Sequence, residues 1–348
     1  MGKRSVVIDI GKFNTKICVF NQNGAKYALE SGAIFDTPSD PMSDEFFQRC
    51  DIFLQKIGVK NAELYTIFSE DEENYTIETE FPSGSNKEIE KSVKERYAAL
   101  SKDGAADCYY SWQTVGTPES TGQTRIMIAY AKKHFVDRMI KLAEKYKMKY
   151  KKADLSSTAI DGLARLLQRM NQIQTSPANT LYSLLDIGAT SATLVLFTPN
   201  SIFKIVHISH SIYKLDEALT GSSSTLVYDK NLNREAVKMV PELVTQSPQY
   251  ELLTKPLLTN IIREIISTTE GGRKFTVGPI FVTGGLAKLP YLIQKLASDL
   301  NTQCFEYPLQ NYLDIAQNCI FRSNKKIYPC DEVFATALGK IVGGVKSE

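Results

Sequence analysis

Three histidines, one tryptophan and six cysteines in 348 residues are thin material for metal or redox chemistry. The cysteines (Cys18, Cys50, Cys108, Cys304, Cys319, Cys330) contain no C-x-x-C pair. That spacing argues against a zinc knuckle or a disulfide framework and fits reduced thiols of a cytosolic protein. His207 and His210 have a metal-like spacing but lack a third ligand nearby. Excess charge of one sign is also missing: 41 Lys+Arg against 39 Asp+Glu leave +2, which makes no general case for nucleic acid. No run approaches the roughly 18–20 apolar residues of a membrane span. Val6-Val7-Ile8 is cut by Asp9 too early to be a signal segment. Neither G-x-x-x-x-G-K-S/T nor G-x-G-x-x-G occurs, so P-loop and Rossmann readings lose their main support.

What is present is a globular composition, 43% hydrophobic and 23% charged. At roughly 100–200 residues per domain, the length makes about two domains. The first informative segment, Val6 to Phe20, reads as a buried strand, a polar Gly-containing turn and a second strand. Ser183 to Phe197 repeats it at an offset of 177, matching at Asp, Ile, Gly and the closing Phe. One motif used twice, half a chain apart, is the mark of a duplicated α/β domain.

A strand that ends in Asp-x-Gly and enters a hydroxyl-rich turn suits phosphate. Glycine lets the backbone approach an anion, amides and hydroxyls donate, and the Asp holds water on a Mg²⁺. Two such turns face to face make a clamp; each alone also reads as a plain hairpin. The candidates are Asp9, Gly11, Asn14, Thr15 and Lys16 in the first copy, and Asp186, Gly188, Thr190, Ser191 and Thr193 in the second. Lys16 also reads as a solvated strand lysine. A third piece, Ile280 to Pro290, is a buried strand ending in Gly284-Gly285-Leu286, with Lys288 before a helix whose N-terminus favours an anion.

These pieces, in this order and spacing, resemble the actin-like ATPase superfamily. Arg234-Glu235-Ala236-Val237-Lys238 is similar to a stretch of its FtsA members in which the Glu and Lys approach adenosine; the bland reading of Glu235 and Lys238 is a surface i,i+3 pair. Glu80-Phe81-Pro82 with Lys87 to Glu95, Ile126 to Lys133, and Lys149 to Asp154 resemble the PilM family of type IV pilus assembly. FtsA proteins end in an amphipathic membrane helix, whereas Gly339 to Glu348 is short and Gly-rich.

The resemblance implies an α/β, two-lobed, ribonuclease H-like duplicated ATPase fold with a 1C-type subdomain. Its expected division is 1A over 1–75 (with 151–182 and 331–348), 1C over 76–150, 2A over 183–215 (with 259–330) and 2B over 216–258. It implies ATP and Mg²⁺ as cofactors, with Asp9 and Asp186 reaching the metal through water. It also implies a cytoplasmic scaffold that binds the N-terminal tail of a PilN-type inner-membrane protein in a groove between 1A and 1C. The protein would be recruited to the membrane through partners without inserting. A polymerising FtsA-like protein and a small-molecule kinase are the alternatives. Two departures bear on turnover. Ile208-Ser209-His210-Ser211 stands where the family carries Gly-Gly, and Leu155-Ser156-Ser157-Thr158 stands where relatives carry an acid. No general base is legible, so ATP binding is better supported than hydrolysis. Lys141, Lys145, Lys147, Lys149, Lys151 and Lys152 form one basic run, read as a solvated face or a patch for an acidic partner or lipid headgroups.

Overall fold

The computed structural model describes residues 4–12, 14–23, 26–38, 40–41, 43–71, 74–101, 107–115, 122–188, 190–210, 248–270, 275–285, 287, 292–322 and 335–343. Strands β1 (Arg4–Ile10), β2 (Asn14–Asn23), β3 (Lys26–Asp36), β4 (Glu63–Phe68), β8 (Lys149–Leu155) and β14 (Leu313–Arg322) form one sheet in the order β14-β3-β2-β1-β4-β8. A second sheet runs β11-β10-β9-β12-β13, from β9 (Thr180–Ile187), β10 (Ser191–Phe197), β11 (Ile202–Ser209), β12 (Thr276–Thr283) and β13 (Cys304–Glu306). Leaving β14 aside, the two orders are the same: an antiparallel meander of three strands, then two parallel strands beside the first. The repeat seen in the sequence is therefore a repeat of topology. β1 and β9 read as near-continuous apolar runs because both faces of each are covered.

Two helices occupy the space between the sheets: α4 (Ser156–Gln168) and the last helix, α8 (Ala335–Gly343). Val7, Phe20 and Ile67 of the first sheet and Leu184, Val195 and Phe197 of the second share one buried cluster with Ile160 and Leu163 of α4 and Leu338 and Ile341 of α8. Small residues let the helices approach closely. A β-carbon on Gly339 would lie 2.5 Å from the Ala159 carbonyl oxygen. α8 also carries Lys340, which is buried, paired with Asp154 and set 5.8 Å over the ring of Tyr65. Burial, the larger effect, pulls its ammonium down to about 8 against the pull of Asp154.

Helices α1 (Asp44–Ile57) and α3 (Lys133–Lys145) cover the other face of the first sheet. α1 starts where Ser43 Oγ accepts from the Phe46 N–H and stops at Gly58, whose φ of +60° belongs to the left-handed region. Between β4 and β8 a three-stranded sheet is inserted, in the order β5-β7-β6 (Tyr75–Pro82, Gln123–Lys132, Cys108–Thr114). Its helix α2 (Asn86–Ser101) packs Ile89 and Val93 on Ile126, Ile128 and Tyr130.

Some expectations shift. The helix expected over Ser156 to Gln174 breaks at Arg169 and resumes as the single turn α5 (Asn171–Gln174). The helix expected from Thr259 begins earlier, as α6 (Pro248–Glu270), and the one expected from Pro290 is described as α7 (Leu292–Asp299). β14 returns the chain to the first sheet at Leu313, ahead of the 331 boundary, because its partner is β3. The stretch expected to form 2B lies outside the described residues up to 247. The lysine run is partly neutralised: Lys145 meets Asp51, Lys151 meets Glu63 at 2.9 Å and Lys152 meets Asp154 at 3.2 Å. Among the described residues no helix is long and apolar enough to cross a membrane.

Gly339→Ala should lower stability by about 1–3 kcal/mol, the usual cost of overpacking, despite alanine's better helix propensity. Chemical denaturation of the two proteins checks this.

Candidate functional site

The ends of β1 and β9 carry Asp9 and Asp186, and each strand then enters a turn of the same construction. The Gly11 N–H donates to the Asn14 carbonyl at 3.0 Å, and the Gly188 N–H donates to the Ser191 carbonyl at 2.9 Å. A β-carbon at Gly11 would come within 2.7 Å of the Asn14 carbonyl oxygen, so the tight turn excludes a side chain there. The residue just beyond each third strand braces the turn. Thr37 donates to the Gly11 carbonyl at 2.7 Å and bonds the Thr15 hydroxyl at 2.9 Å. In the second lobe His210 takes this place: its backbone N–H donates to the Thr190 carbonyl at 2.8 Å, and its imidazole bonds the backbone of Ser191 and Gly188. Burial lowers that imidazole to about 4, so it braces the turn as a neutral ring. His210, where the family resemblance leads one to expect Gly-Gly, is thus a structural prop of the second turn.

The two copies differ in charge. Asp9 lies opposite Lys16 across β1–β2 and accepts from its ammonium at 2.7 Å. In the second copy the residue opposite Asp186 is Thr193, which brings no charge. Asp186 is buried, and burial raises its carboxyl to about 6; Lys16 pulls it down and Asp9 pushes it up, so all three groups feel one another across the lobes. The hydroxyl of Thr336 on α8 also bonds the Asp186 carboxylate, while Asp186 Oδ1 has no hydrogen-bond partner among the described residues. Such an orphaned buried oxygen is costly unless something fills the site.

β12 delivers the third piece. Thr283 lies in register with Asp186, and Gly284 follows with a φ of +96°. A β-carbon on Gly284 would sit 2.6 Å from Asp186 Oδ1 and 2.5 Å from the Ile187 carbonyl oxygen, so only glycine lets this turn meet the Gly188–Ser191 turn. Gly285 beside it is exposed. Asn14, Thr15 and Thr193 are buried, whereas Thr190 and Ser191 are half-exposed at the turn. Glu235, Lys238, Leu286 and Lys288 lie outside the described residues.

One group went unseen in the sequence. Glu70, just past β4, has a side chain only 6% exposed, and its Oε1 accepts from Ser157 and from Thr76, each at 2.8 Å. Its Oε2 lies 2.8 Å from His207 Nδ1 of β11. Burial works to raise this carboxyl, but His207, Ser157 and Thr76 outweigh it and hold it below the usual carboxylate range. His207 therefore faces a carboxylate and His210 the turn backbone. No group of three metal-ligating side chains exists among the described residues.

The raised carboxyl of Asp186 gives a signed expectation for the protein without nucleotide. A carboxyl pushed from 3.8 to about 6 is best tolerated protonated; ionising it costs roughly 3 kcal/mol at most. Asp186→Asn should therefore stabilise the protein at pH 7. The gain should shrink as pH falls through 6 and vanish below about 4. Denaturation midpoints across pH 4–8 read this directly.

No protein-family model and no curated protein matches the chain. Among solved structures, a chain of the PilM–PilN type IV pilus biogenesis complex is similar, at 19% identity over 97% of this chain and 98% of that one, with a TM-score of 0.65. The ethanolamine utilization protein EutJ from Carboxydothermus hydrogenoformans is 11% identical over 99% and 91% of the two chains, with a TM-score of 0.47. A Bacteroides thetaiotaomicron protein with an actin-like ATPase fold and unknown function is 9% identical over 88% and 92%, also at 0.47. The overlap with the PilM–PilN chain, together with the two matching sheets and the inserted three-stranded subdomain, makes this a two-lobed, PilM-like actin-type fold.

Proposed function

We propose that the cleft binds ATP with Mg²⁺ and that the closed, nucleotide-filled protein is a scaffold for a pilus-type assembly machine. The observation that carries this is the facing pair of Asp-x-Gly turns, with Asp186 Oδ1 left unpartnered and Gly284 pressed against it. The chemistry of this donor set fits the group. Asp9 and Asp186 hold a magnesium ion through water, since Mg²⁺ keeps several of its waters. Lys16 supplies the cationic partner for a phosphate. Gly11, Asn14, Thr15, Gly188, Thr190, Ser191 and Thr193 shape the two phosphate turns, while Gly284, Gly285, Leu286, Lys288, Glu235 and Lys238 serve the nucleoside. The Mg²⁺ ion, if held there, would supply the positive charge that lets Asp186 stay ionised in a buried site. With His210 bracing the second turn and Ser157 at the start of α4, turnover is slow and binding is the working state.

The partner reading rests on a second feature. β6 is an edge of the three-stranded sheet and β8 an edge of the first sheet. Between them opens a cavity of about 220 Å³ lined by Tyr109 to Ser111, Ala129 to Ala131, Val136 and Lys152 to Leu155. Two strand edges beside a partly apolar slot suit an extended peptide, which adds backbone hydrogen bonds to an edge and places alternate side chains in the slot. The solved chain that this one resembles comes from a complex with PilN. We assign the slot here to the cytoplasmic N-terminal tail of a PilN-type inner-membrane protein, which brings the scaffold to the membrane.

Asp9→Ala and Asp186→Ala should each weaken Mg-ATP binding at least tenfold, or about 1.4 kcal/mol, by titration calorimetry. Unchanged affinity in both would remove the site assignment. Ser111→Trp, at an exposed position in the slot, should abolish binding of a synthetic PilN-type tail peptide while leaving ATP affinity intact.

A further inference from the structure

The inserted three-stranded sheet touches more than the lobe into which it is spliced. Alternate residues of β7 point to one face. Ile126, Ile128 and Tyr130 lie under α2, while Met127, Ala129 and Ala131 lie on the opposite face. Along that second face the neighbours change. Ala129 and Ala131 are buried with α3 and the first sheet, whereas Met127, with Val115, is buried in the cluster that includes Ile202 and Ile205 of β11. β11 is one edge strand of the second sheet. One strand thus straddles both lobes.

Polar contacts follow the same line. The Ile205 N–H, on the open edge of the second sheet, bonds the carboxylate of Glu78, an exposed residue on β5. The Arg125 guanidinium of β7 lies 5.8 Å from the centre of the Phe203 ring. At the inner end stands Glu70. Its carboxylate joins three bodies at once: Thr76 of the inserted sheet, Ser157 at the start of the interlobe helix α4, and His207 of the second lobe. The His207–Glu70 approach of 2.8 Å sets an imidazole against a carboxylate, a polar contact that is stronger when the lobes are close and water is excluded. A cavity of about 430 Å³ beside Arg125 and Lys204 leaves the outer part of this contact open to water.

We propose that the inserted sheet is a releasable clasp which holds the second lobe closed on the first, with the Glu70–His207 contact as its latch. Hinge movement between lobes needs one interface that can part without unfolding either lobe. The α4–α8 core is a poor candidate: Gly339 is packed against Ala159, and the helices share a continuous apolar cluster with both sheets. The β11 contact suits the role. It joins a strand edge to side chains, it is wet at its outer end, and its latch is one carboxylate and one imidazole. Opening would free the β11 edge, including the Ile205 N–H, to solvent. The inference stands whether or not the cleft takes a nucleotide.

Amide exchange on the full chain tests it, because partial openings show in the strand they uncover. The variants are Glu70→Gln, His207→Gln and the double substitution, without added nucleotide. Exchange across Phe203 to His207 should quicken about tenfold in each single variant. The double variant should show little further change, since both remove the same contact. Leu184 and Leu185, in the centre of the second sheet, should be unaffected. Unchanged exchange at β11 in either single variant, effects that multiply in the double, or equal acceleration in β9 would each overturn the proposal. Should Glu70→Gln fail to fold, His207→Gln decides alone, because His207 lies on an outer strand and is partly exposed.

Discussion

Two carboxylates and one ammonium meet where the lobes face one another, and the arrangement around them follows from their unequal shares of charge. Asp9 takes the lysine that lies opposite it on the neighbouring strand. Asp186, its counterpart after duplication, has a threonine in that place and is left buried. A buried carboxylate without its own cation is tolerated near neutral pH only because its pKa has moved up to meet the pH, or because something positive arrives. The lobes, turns and helices can thus be read as means of holding this unbalanced pair at a fixed separation.

Holding it falls to the interlobe helices. α8 reaches both sides: Thr336 bonds Asp186 of the second sheet, and one turn further on Lys340 pairs with Asp154 of the first. Breaking such a buried pair by deleting one partner typically costs 3–5 kcal/mol, since the other charge is stranded. The last helix is thereby tied to the first lobe by charge and to the second by a hydroxyl. α4 lies beside it, separated at closest approach by the absence of one β-carbon at Gly339. The turns are propped from outside by residues of different chemistry, Thr37 and His210, which do the same job at equivalent places.

The doubled motif was legible because its residues are close in sequence: a strand, Asp-x-Gly and a second strand can be recognised within fifteen positions, and the repeat follows. The antiparallel meander, the edge position of β11 and the sheet membership of β14 depend on pairings between distant segments, which hydrophobic pattern alone does not rank. Glu70 was invisible for the same reason. In the sequence it stands just before the acidic stretch Asp71-Glu72-Glu73, with nothing to single it out; only folding sets it beside Ser157, 87 positions away. His210 was noticed as a departure from a glycine turn, but its role needed the geometry of a ring against the Gly188–Ser191 backbone. The lysine run suggested a basic face, and the fold supplies Asp51, Glu63 and Asp154 to answer half of it.

The claim on which the functional account rests is that the cleft holds an adenine nucleotide. Denaturing freshly purified protein and identifying what is released by chromatography tests it most directly, followed by a Mg²⁺-dependent binding titration of the emptied protein. The account predicts an adenine nucleotide in the released fraction, rebinding that requires Mg²⁺, and turnover measured in hours. Protein that releases none and shows no affinity for ATP at millimolar concentration, with or without Mg²⁺, would contradict it.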